Sequence, residues 1–344
     1  MLEPNIYGLW AGKQTAKGTP NIAPGKRLVQ VGGDFALNRD DGEENYSDLT
    51  KYGARTDWVN SLSATGEPAC EATPTELAYA LWLYHGAETV TAVTGPPTAQ
   101  RHQFVPSTGR GHWATFFRRL GLTDVMRHQM NDSLIGRIQL EGSTANKAVR
   151  FTPRILTLDP YEVKTADPAA AMPAGKSFLY TDATSTFEMD DVVIRGQSQW
   201  QLVLDEDLSL VYGDDTNPYD IAQGTAAVTI GITLVFDSVG LARWNTLVYG
   251  SAAPVAGTKP LKRVPALGKY EFRHTQRDDA GALNGKAFDL VIPGVKWAIP
   301  EAPAPNPDGG PTEIALSGSM RPVVGQPAYT IGVETDNAVT AFTT

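Results

Sequence analysis

The five histidines of this sequence do not form a recognisable metal site. Imidazole ligands usually come in pairs about three to five residues apart on one helix or hairpin, so that both rings face one ion. No two histidines in this chain have that spacing. We expect surface or partly buried polar roles for all of them, which are His85, His102, His112, His128 and His274.

Two acidic runs invite a calcium or acid–base interpretation, but neither has the rest of the required pattern. They are Asp205-Glu206-Asp207 and Asp214-Asp215. A calcium-binding loop alternates acidic ligands, turns at a central glycine and ends in a distal glutamate, and that arrangement is missing here. The simpler interpretation is a solvated acidic face.

Motifs for a nucleophile or for phosphate binding are missing as well. Ser317 lies nearest to a Gly-x-Ser-x-Gly elbow, but the elbow glycines do not flank it. Gly32-Gly33 precedes a strand and a turn instead of a helix N-terminus, and no Gly-Lys-Ser/Thr follows. The single cysteine, Cys70, excludes an intrachain disulfide and indicates a small buried apolar residue. We therefore expect no enzymatic activity, no cofactor and no bound metal.

The composition is that of an ordinary folded chain with an acidic balance. Its 344 residues suffice for two domains, and 42% hydrophobic with 19% charged residues is typical of globular proteins. The net charge of −9 argues against binding nucleic acid through clustered Lys and Arg. Neither a signal peptide nor an apolar run of about 18 residues is present, which predicts a cytosol-like compartment and no membrane. The 33 Gly and 24 Pro are spread along the chain and predict many short strands joined by turns.

The first 26 residues predict an extended N-terminal arm, because they are rich in Gly and Pro and have little periodicity. The arm nevertheless carries Tyr7, Leu9 and Trp10. Apolar groups of this size normally cover a surface. Two arrangements stay open, a clasp between subunits and docking on the arm's own domain.

Two short helices are indicated by their end signals. The first covers residues 73 to 84, with Thr73 placed to cap the first turn and Glu76 to complete a capping box. The second covers residues 238 to 248 and follows Asp237 as its N-cap. A glycine suited to a left-handed C-cap follows each helix.

Alternating apolar and polar residues predict strands along both halves of the chain. A polar loop is expected from residue 39 to about residue 56, and a linker rich in Pro and Ala at residues 159 to 176. The predicted strands are 27–38, one from residue 58, 105–120, 134–141 and 148–158 before the linker, and one ending at residue 202, 227–236, 269–275, 288–300 and 313–324 after it.

A shift of about 164 residues brings the two halves into register. In each half a strand with a glycine is followed by acidic residues, a polar loop, an alternating strand, one short helix and further strands. At that shift Leu77, Ala78, Leu83 and Gly86 meet Leu241, Ala242, Leu247 and Gly250. We infer an internal duplication and predict a mainly β fold of two tandem lobes, residues 27–158 and 177–344, each with one flanking α-helix.

A set of short strings carries a family resemblance that spans most of residues 8 to 333. The strings are VGGD at 31–34, NRDDG at 38–42, EATPTEL at 71–77, EGSTANK at 141–147, VPALG at 264–268 and PGVKWAIP at 293–300. They resemble the major tail tube proteins of siphophages that infect actinobacteria and related hosts. The resemblance implies β-sandwich or barrel lobes whose strands join those of neighbouring subunits in a continuous inner barrel, and it brings no active site.

The family implies a structural virion protein, assembled in the host cytoplasm into stacked rings that conduct DNA without binding it specifically. Its expected partners are further copies of itself, the tape measure protein, and the tail terminator and distal tail proteins. A negative wall would repel phosphate, so candidate residues for the lumen or the ring junctions are Asp40, Asp41, Asp205 and Asp207. The alternative is that these acidic residues only solubilise an outer loop.

Duplication sets the expected symmetry of the ring. Single-lobe relatives close as hexamers, so three chains with two lobes each supply the same six positions with true threefold and approximate sixfold symmetry. The 18 residues of the linker span up to about 60 Å when extended, which is enough to connect neighbouring lobes. The competing arrangement is a hexamer in which one lobe lines the channel and the other projects outward.

A different functional class also fits a β-rich chain with several tryptophans, namely a carbohydrate-binding module or hydrolase. Most of these tryptophans lie in alternating strands or at core-like helix positions, which favours packing. The tryptophans in question are Trp58, Trp82, Trp113, Trp200, Trp244 and Trp297.

Overall fold

A computed structural model of the protein describes most of the chain. The described residues are 7–21, 25–46, 54–94, 98–106, 109–121, 125–145, 148–169, 177–178, 186–194, 196–262, 267–276, 285–301, 303, 312–336, 339 and 341–342. Within these ranges the protein is mainly β, with two short helices and one large antiparallel sheet. The predicted mainly β class is confirmed.

The elements follow one another in chain order. Up to residue 163 they are β1 Tyr7–Lys13, β2 Lys26–Leu28, β3 Gln30–Gly32, β4 Phe35–Tyr46, β5 Ala54–Gly66, β6 Ala69–Glu71, α1 Pro74–His85, β7 Thr89–Val93, β8 Ala99–Phe104, β9 Ala114–Leu120, β10 Met126–Ser143 and β11 Arg150–Val163. The later elements are β12 Thr186–Met189, β13 Val192–Val193, β14 Gln197–Asp205, β15 Leu208–Val211, β16 Asp220–Gln223, β17 Ala227–Val235, α2 Ser238–Tyr249, β18 Gly268–Thr275, β19 Ala287–Trp297, β20 Glu313–Met320 and β21 Thr330–Asp336.

Both halves of the chain repeat one order of strand pairing. In the first half β9 pairs with β10, β10 with β11, β11 with β5, and β5 with β4. In the second half β18 pairs with β19, β19 with β20 and β21, β20 with β17, and β17 with β14. Strands β20 and β21 together therefore take the place of the single strand β11. Each helix also follows the corresponding hairpin, α1 after β5 and β6, and α2 after β17.

The two halves share one sheet. The end of β10 pairs with β14 from Arg137↔Asp205 to Ser143↔Gln199. Strand β8 of the first half pairs with β21 near the end of the chain, from Ile331↔Phe104 to Asp336↔Ala99. Backbone hydrogen bonds thus run without interruption from one half to the other.

One aromatic core holds both halves against the sheet. A single cluster of buried side chains includes Phe104 and Phe151 from the first half and Trp200, Phe288 and Trp297 from the second, each at most 2% exposed. Helix α1 is buried along nearly its whole length, whereas α2 buries only three residues. A helix that is apolar on all sides needs cover on all sides, which explains the central position of α1.

Both helices begin and end within one residue of the predicted limits. Asp237 caps α2 as predicted, since its Oδ1 accepts hydrogen bonds from the backbone N–H groups of Val239 at 2.9 Å and Gly240 at 2.8 Å. The predicted capping by Thr73 is wrong. Its hydroxyl donates to the Glu76 carboxylate instead, because Glu76 is buried and needs a donor.

Several predicted limits in the first half are also wrong. The polar loop expected from residue 39 to about residue 56 is largely strand, since β4 and β5 pair as far as Tyr46↔Ala54. The expected linker begins inside β11, which continues to Val163. The strand expected at 105–120 begins only at Ala114. The sequence of this hairpin beyond Asp40 shows no sustained alternation of apolar and polar residues, so periodicity does not reveal it.

No helix in the described ranges has the length and apolar character that a membrane crossing requires.

Replacing Asp237 with Ala removes the cap of α2 and leaves two backbone N–H groups without their acceptor. We expect the free energy of unfolding, measured by urea denaturation, to fall by about 1 kcal/mol. The exposed neighbour Ser238→Ala is the control and should stay within about 0.5 kcal/mol of the parent protein. Equal losses in the two variants would contradict the capping role.

Candidate functional site

The histidines pack against aromatic rings. Among the described residues, no group of three or more His, Cys, Asp or Glu side chains is arranged to hold a metal ion. The ring pairs are His85–Phe104, His102–Phe342, His112–Trp82, His128–Tyr161 and His274–Phe272, with centroids 4.5 to 5.7 Å apart. These contacts give the histidines a packing role.

Three histidines are more deeply buried than expected. His85, His102 and His274 are at most 2% exposed, so the expectation of surface or partly buried positions is wrong for them. Burial lowers the pKa of His85 to about 4 and that of His274 to about 3, so both rings are neutral near pH 7. His102 is held by hydrogen bonds to Glu88 at 2.6 Å and to Thr335 at 3.0 Å. Cys70 is fully buried, as predicted, and burial raises the pKa of its thiol.

The tryptophans do not present a flat aromatic platform. Trp82, Trp200 and Trp297 are buried in the core, while Trp113 and Trp244 are partly buried. The side chain of Trp58 lies outside the described part of the chain. A carbohydrate site that stacks sugars on tryptophan therefore has no support from the described rings.

The face of the sheet that points away from the core is polar and built by both halves. Its strands lie in the order β4-β5-β11-β10-β14-β17-β20-β19. Side chains alternate between the two faces of a strand, so the register identifies the members of this face. Many are small and uncharged: Ala36, Asn38, Thr65, Thr152, Gln139, Gln199, Gln201, Thr229, Gly231, Thr233, Ala315, Ser317 and Ser319.

Charges of both signs are interspersed on this polar face. A shallow groove of about 500 Å³ crosses its second-half strands, lined by residues such as Gln201, Gly231 and Ser317. The charged side chains that the register assigns to this face are Asp40, Glu141, Asp205 and Glu313, against Arg137, Arg150, Arg154 and Lys296. The face is therefore wetted and nearly balanced in charge, with no basic patch that would hold a phosphate backbone.

The predicted acidic residues mark the points where two hairpins change course. The pairing of β4 with β5 shifts register between Asp40 and Asp41. Asp205 ends β14 opposite Arg137, and its Oδ1 accepts a hydrogen bond from the backbone N–H of Asp207 at 2.9 Å. Asp40 and Asp207 are exposed, while the side chain of Asp41 lies outside the described part. Corresponding acidic residues thus take corresponding places in the two halves.

The second-half hairpin bends sharply at Asp207. Strand β14 continues as β15 and returns through β16 and β17, so the four strands form one long hairpin. Asp207 has a positive φ of 50°, and its carbonyl accepts a hydrogen bond from Gly224 N–H at 3.1 Å. A Cβ at position 224 would lie 2.9 Å from that carbonyl and overlap the Asp207 carboxylate. Glycine at this position lets the two strands bend together.

The bend lays the tip of this hairpin on the first half. Leu208 of β15 and Ile221 of β16 are buried in a small second core. Its remaining buried members belong to β10 and β11 and are Leu134, Leu156 and Leu158. The tip therefore covers an apolar patch on the otherwise polar face.

Glu206, between the two aspartates, is buried at this bend. It is 7% exposed, and its backbone N–H donates to the Gly136 carbonyl at 2.9 Å. Burial, and then the neighbouring Asp205 carboxylate, raise the pKa of Glu206 to about 7. Sequence reasoning treated Glu206 as part of a solvated run. The alternation of core-facing Trp200, Leu202 and Leu204 continues to Glu206 and was the available signal.

Part of the predicted N-terminal arm, Tyr7–Lys13, forms a strand. Strand β1 pairs with β9 from Tyr7↔Leu120 to Lys13↔Ala114. Leu9 and Trp10 are buried within their own chain, where Trp10 meets Phe117 edge-on at 5.4 Å. The side chain of Tyr7 lies outside the described part. Docking on the same chain is thus the observed arrangement for Leu9 and Trp10, and a contact between subunits stays a prediction.

No family model matches this sequence, and no curated protein matches it significantly.

The bend of the second-half hairpin requires a glycine at position 224. Gly224→Ala places a methyl group against Asp207, and we expect the free energy of unfolding to fall by about 1–3 kcal/mol. Gly231→Ala is the matched control, because a Cβ there meets no atom within 4 Å. Urea denaturation of both variants measures the difference, and equal stability of the two would refute the steric account.

Glu206 makes stability depend on pH in a defined direction. Between about pH 4.5 and about pH 7 the folded protein holds a proton that the unfolded chain has released. The free energy of unfolding therefore decreases as pH rises through this window, by up to roughly 3 kcal/mol from this group. Glu206→Gln should remove that part of the slope in urea denaturation, whereas Glu313→Gln, exposed on the polar face, should not. An unchanged slope in Glu206→Gln would show that Glu206 is ionised in the folded protein.

Proposed function

We propose that this chain is a non-enzymatic structural protein, the tail tube subunit of a long-tailed phage. The observation that carries the proposal is the eight-stranded sheet, to which each half contributes the same four strands. The core face of this sheet is apolar, and its opposite face carries small polar side chains. A surface of this kind suits the wall of a channel, which needs to be wetted without holding the passing molecule.

Two tandem lobes, residues 27–158 and 177–344, are part of this proposal. The repeated pairing order and the matching places of the two helices support them. The sequence strings that resemble siphophage tail tube proteins extend over both lobes. Within one chain the lobes meet edge to edge through β10 and β14, so each lobe acts as a neighbour to the other.

The ring we propose contains three chains. The junction of β10 with β14 joins two different edges, so it is a heterologous contact of the kind that closes into rings. Three chains supply six lobes and, at four strands per lobe, a continuous wall around the channel. The alternative hexamer assigns unlike roles to the two lobes, although both contribute the same strands to one face. Ring closure also removes exposed strand edges, which otherwise promote aggregation.

DNA would pass this wall without specific binding. Small uncharged side chains dominate the polar face. Arg137 lies opposite Arg154, but Asp205 lies opposite Arg137 on its other side and Glu141 lies opposite Arg150, so no long run of cations tracks a phosphate backbone. Asp40, Asp41, Asp205 and Asp207 belong to the hairpin bends, which favours a role at ring junctions. The remaining partners follow from the resemblance and are the tape measure, tail terminator and distal tail proteins of the virion.

Electron microscopy of the purified protein tests the function and the symmetry together. We expect rings or tubes, with three chains of 37.0 kDa in each ring and six similar lobes in end-on averages. Native mass spectrometry of isolated rings counts the chains. Six chains per ring would refute the trimer but keep the tube. Monomers at all concentrations, with a shift in tryptophan fluorescence on adding oligosaccharides, would favour a carbohydrate-binding protein.

A further inference from the structure

The hairpin of β4 and β5 extends beyond the sheet as a two-stranded ribbon. Strand β5 pairs with β11 only from Ala64 to Gly66, and Leu62 N–H donates to the Thr216 carbonyl at 2.8 Å. Beyond these contacts, residues 40–46 and 54–61 pair only with each other among the strands that the structure describes. Seven residues of strand reach roughly 23 Å. An isolated two-stranded hairpin is at best marginally stable in water, so the ribbon needs a surface to lie on.

The corresponding hairpin of the second half packs on such a surface. Its tip, β15 and β16, bends at Asp207 and packs on β10 and β11 of the first half. The register shift between Asp40 and Asp41 marks the matching point on the first-half hairpin. Beyond it, no strand in the described part of the chain receives the ribbon.

We propose that the ribbon, residues 40–46 and 54–61, is an assembly contact that docks on β19 and β20 of a second copy of this chain. We assign a second copy as the partner because the contact of β15 and β16 with β10 and β11 inside the chain shows how such a hairpin packs on this type of strand pair. In pairing order β19 and β20 correspond to β10 and β11, the strands that receive the tip of the other hairpin. This inference rests on the proposed ring, and it identifies the chain segment that closes the ring.

Charge on the two surfaces supports this pairing. The ribbon is acidic, with Asp40, Asp41, Glu43 and Glu44 in sequence along one strand. Where β19 and β20 pair, the receiving strands present Lys296 on the polar face and exposed Arg321 directly follows β20, while the acidic Glu313 lies at the opposite end of β20. Opposite charges guide association and set register between partners.

Exposed apolar side chains beside the ribbon and beside its proposed receiving strands also support this contact. Leu37 lies at the base of the ribbon with 46% of its side chain exposed. Ile299, two residues beyond β19, is 52% exposed. The strands of the internal junction carry Leu202 and Leu140 at directly paired positions, and both are fully buried. A second copy would cover Leu37 and Ile299 in the same manner.

The first experiment removes the ribbon from the full chain. Residues 40–61 are replaced by Asn-Gly, which forms a two-residue turn between Arg39 and Leu62, a directly paired couple. We expect a folded monomer, with the circular dichroism of the parent protein and no rings in the microscope. Rings in both proteins overturn the inference and leave the tube proposal standing. A parent protein that never assembles overturns both.

The second experiment locates the ribbon even if the shortened chain does not fold. Asp40→Cys is labelled with a benzophenone maleimide, and the fully buried Cys70 stays unlabelled. After illumination of assembled protein, we expect adducts between chains that map by mass spectrometry to residues 287–320. Unassembled protein is the control and should give none. Adducts confined to one chain, or mapped to the first half of a neighbour, overturn the inference.

Discussion

The pairing of β10 with β14 is the interaction on which the rest of this structure depends. Strand β10 is 18 residues long and serves three neighbours, β9 along its first part, β14 along its last part and β11 along nearly its whole length. Strand β14 already pairs with β17, so β10 satisfies its second edge. Buried backbone groups need partners, and each half of the chain supplies them to the other. The repeated units are therefore similar in topology without being independent in stability.

The two faces of the shared sheet carry different types of side chain. On one side large aromatic side chains from both halves form a single core. In it the ring centroid of Trp200 lies 4.4 Å from that of Phe272 and 6.3 Å from that of Phe288. Aromatic rings bury large apolar areas, and they hold the two halves in one fixed orientation. On the other side the same strands carry Ser, Thr, Gln and Gly. The alternation of a β-strand makes this division possible, because each residue belongs to one face only.

Sequence reasoning recovered the parts of the fold that alternation and capping encode. The limits of both helices and the cap at Asp237 were predicted, as were strands such as β17, whose inward residues are uniformly apolar. The ribbon of β4 and β5 was missed because its sequence shows no sustained alternation of apolar and polar residues. The burial of Glu206 was missed because it stands in an acidic run, although the alternation of buried residues in β14 continues to it. Pairing between the halves joins residues far apart in sequence, such as Phe104 and Ile331, and no local pattern encodes that distance.

The partnership of β8 with β21 governs the order in which this protein completes its fold. Strand β8 leaves the ribosome more than 200 residues before the strand that pairs with it, and Phe342, which packs on Tyr79 and Trp82 of α1, emerges later still. Contacts so distant in sequence form slowly, and nascent strands that wait for partners are prone to aggregate. The first half is therefore completed only after the second half has been synthesised. A product truncated before β21 would lack the partner of β8 and the ring of Phe342 that packs on α1, so a nascent chain becomes competent to join others only after these residues have emerged.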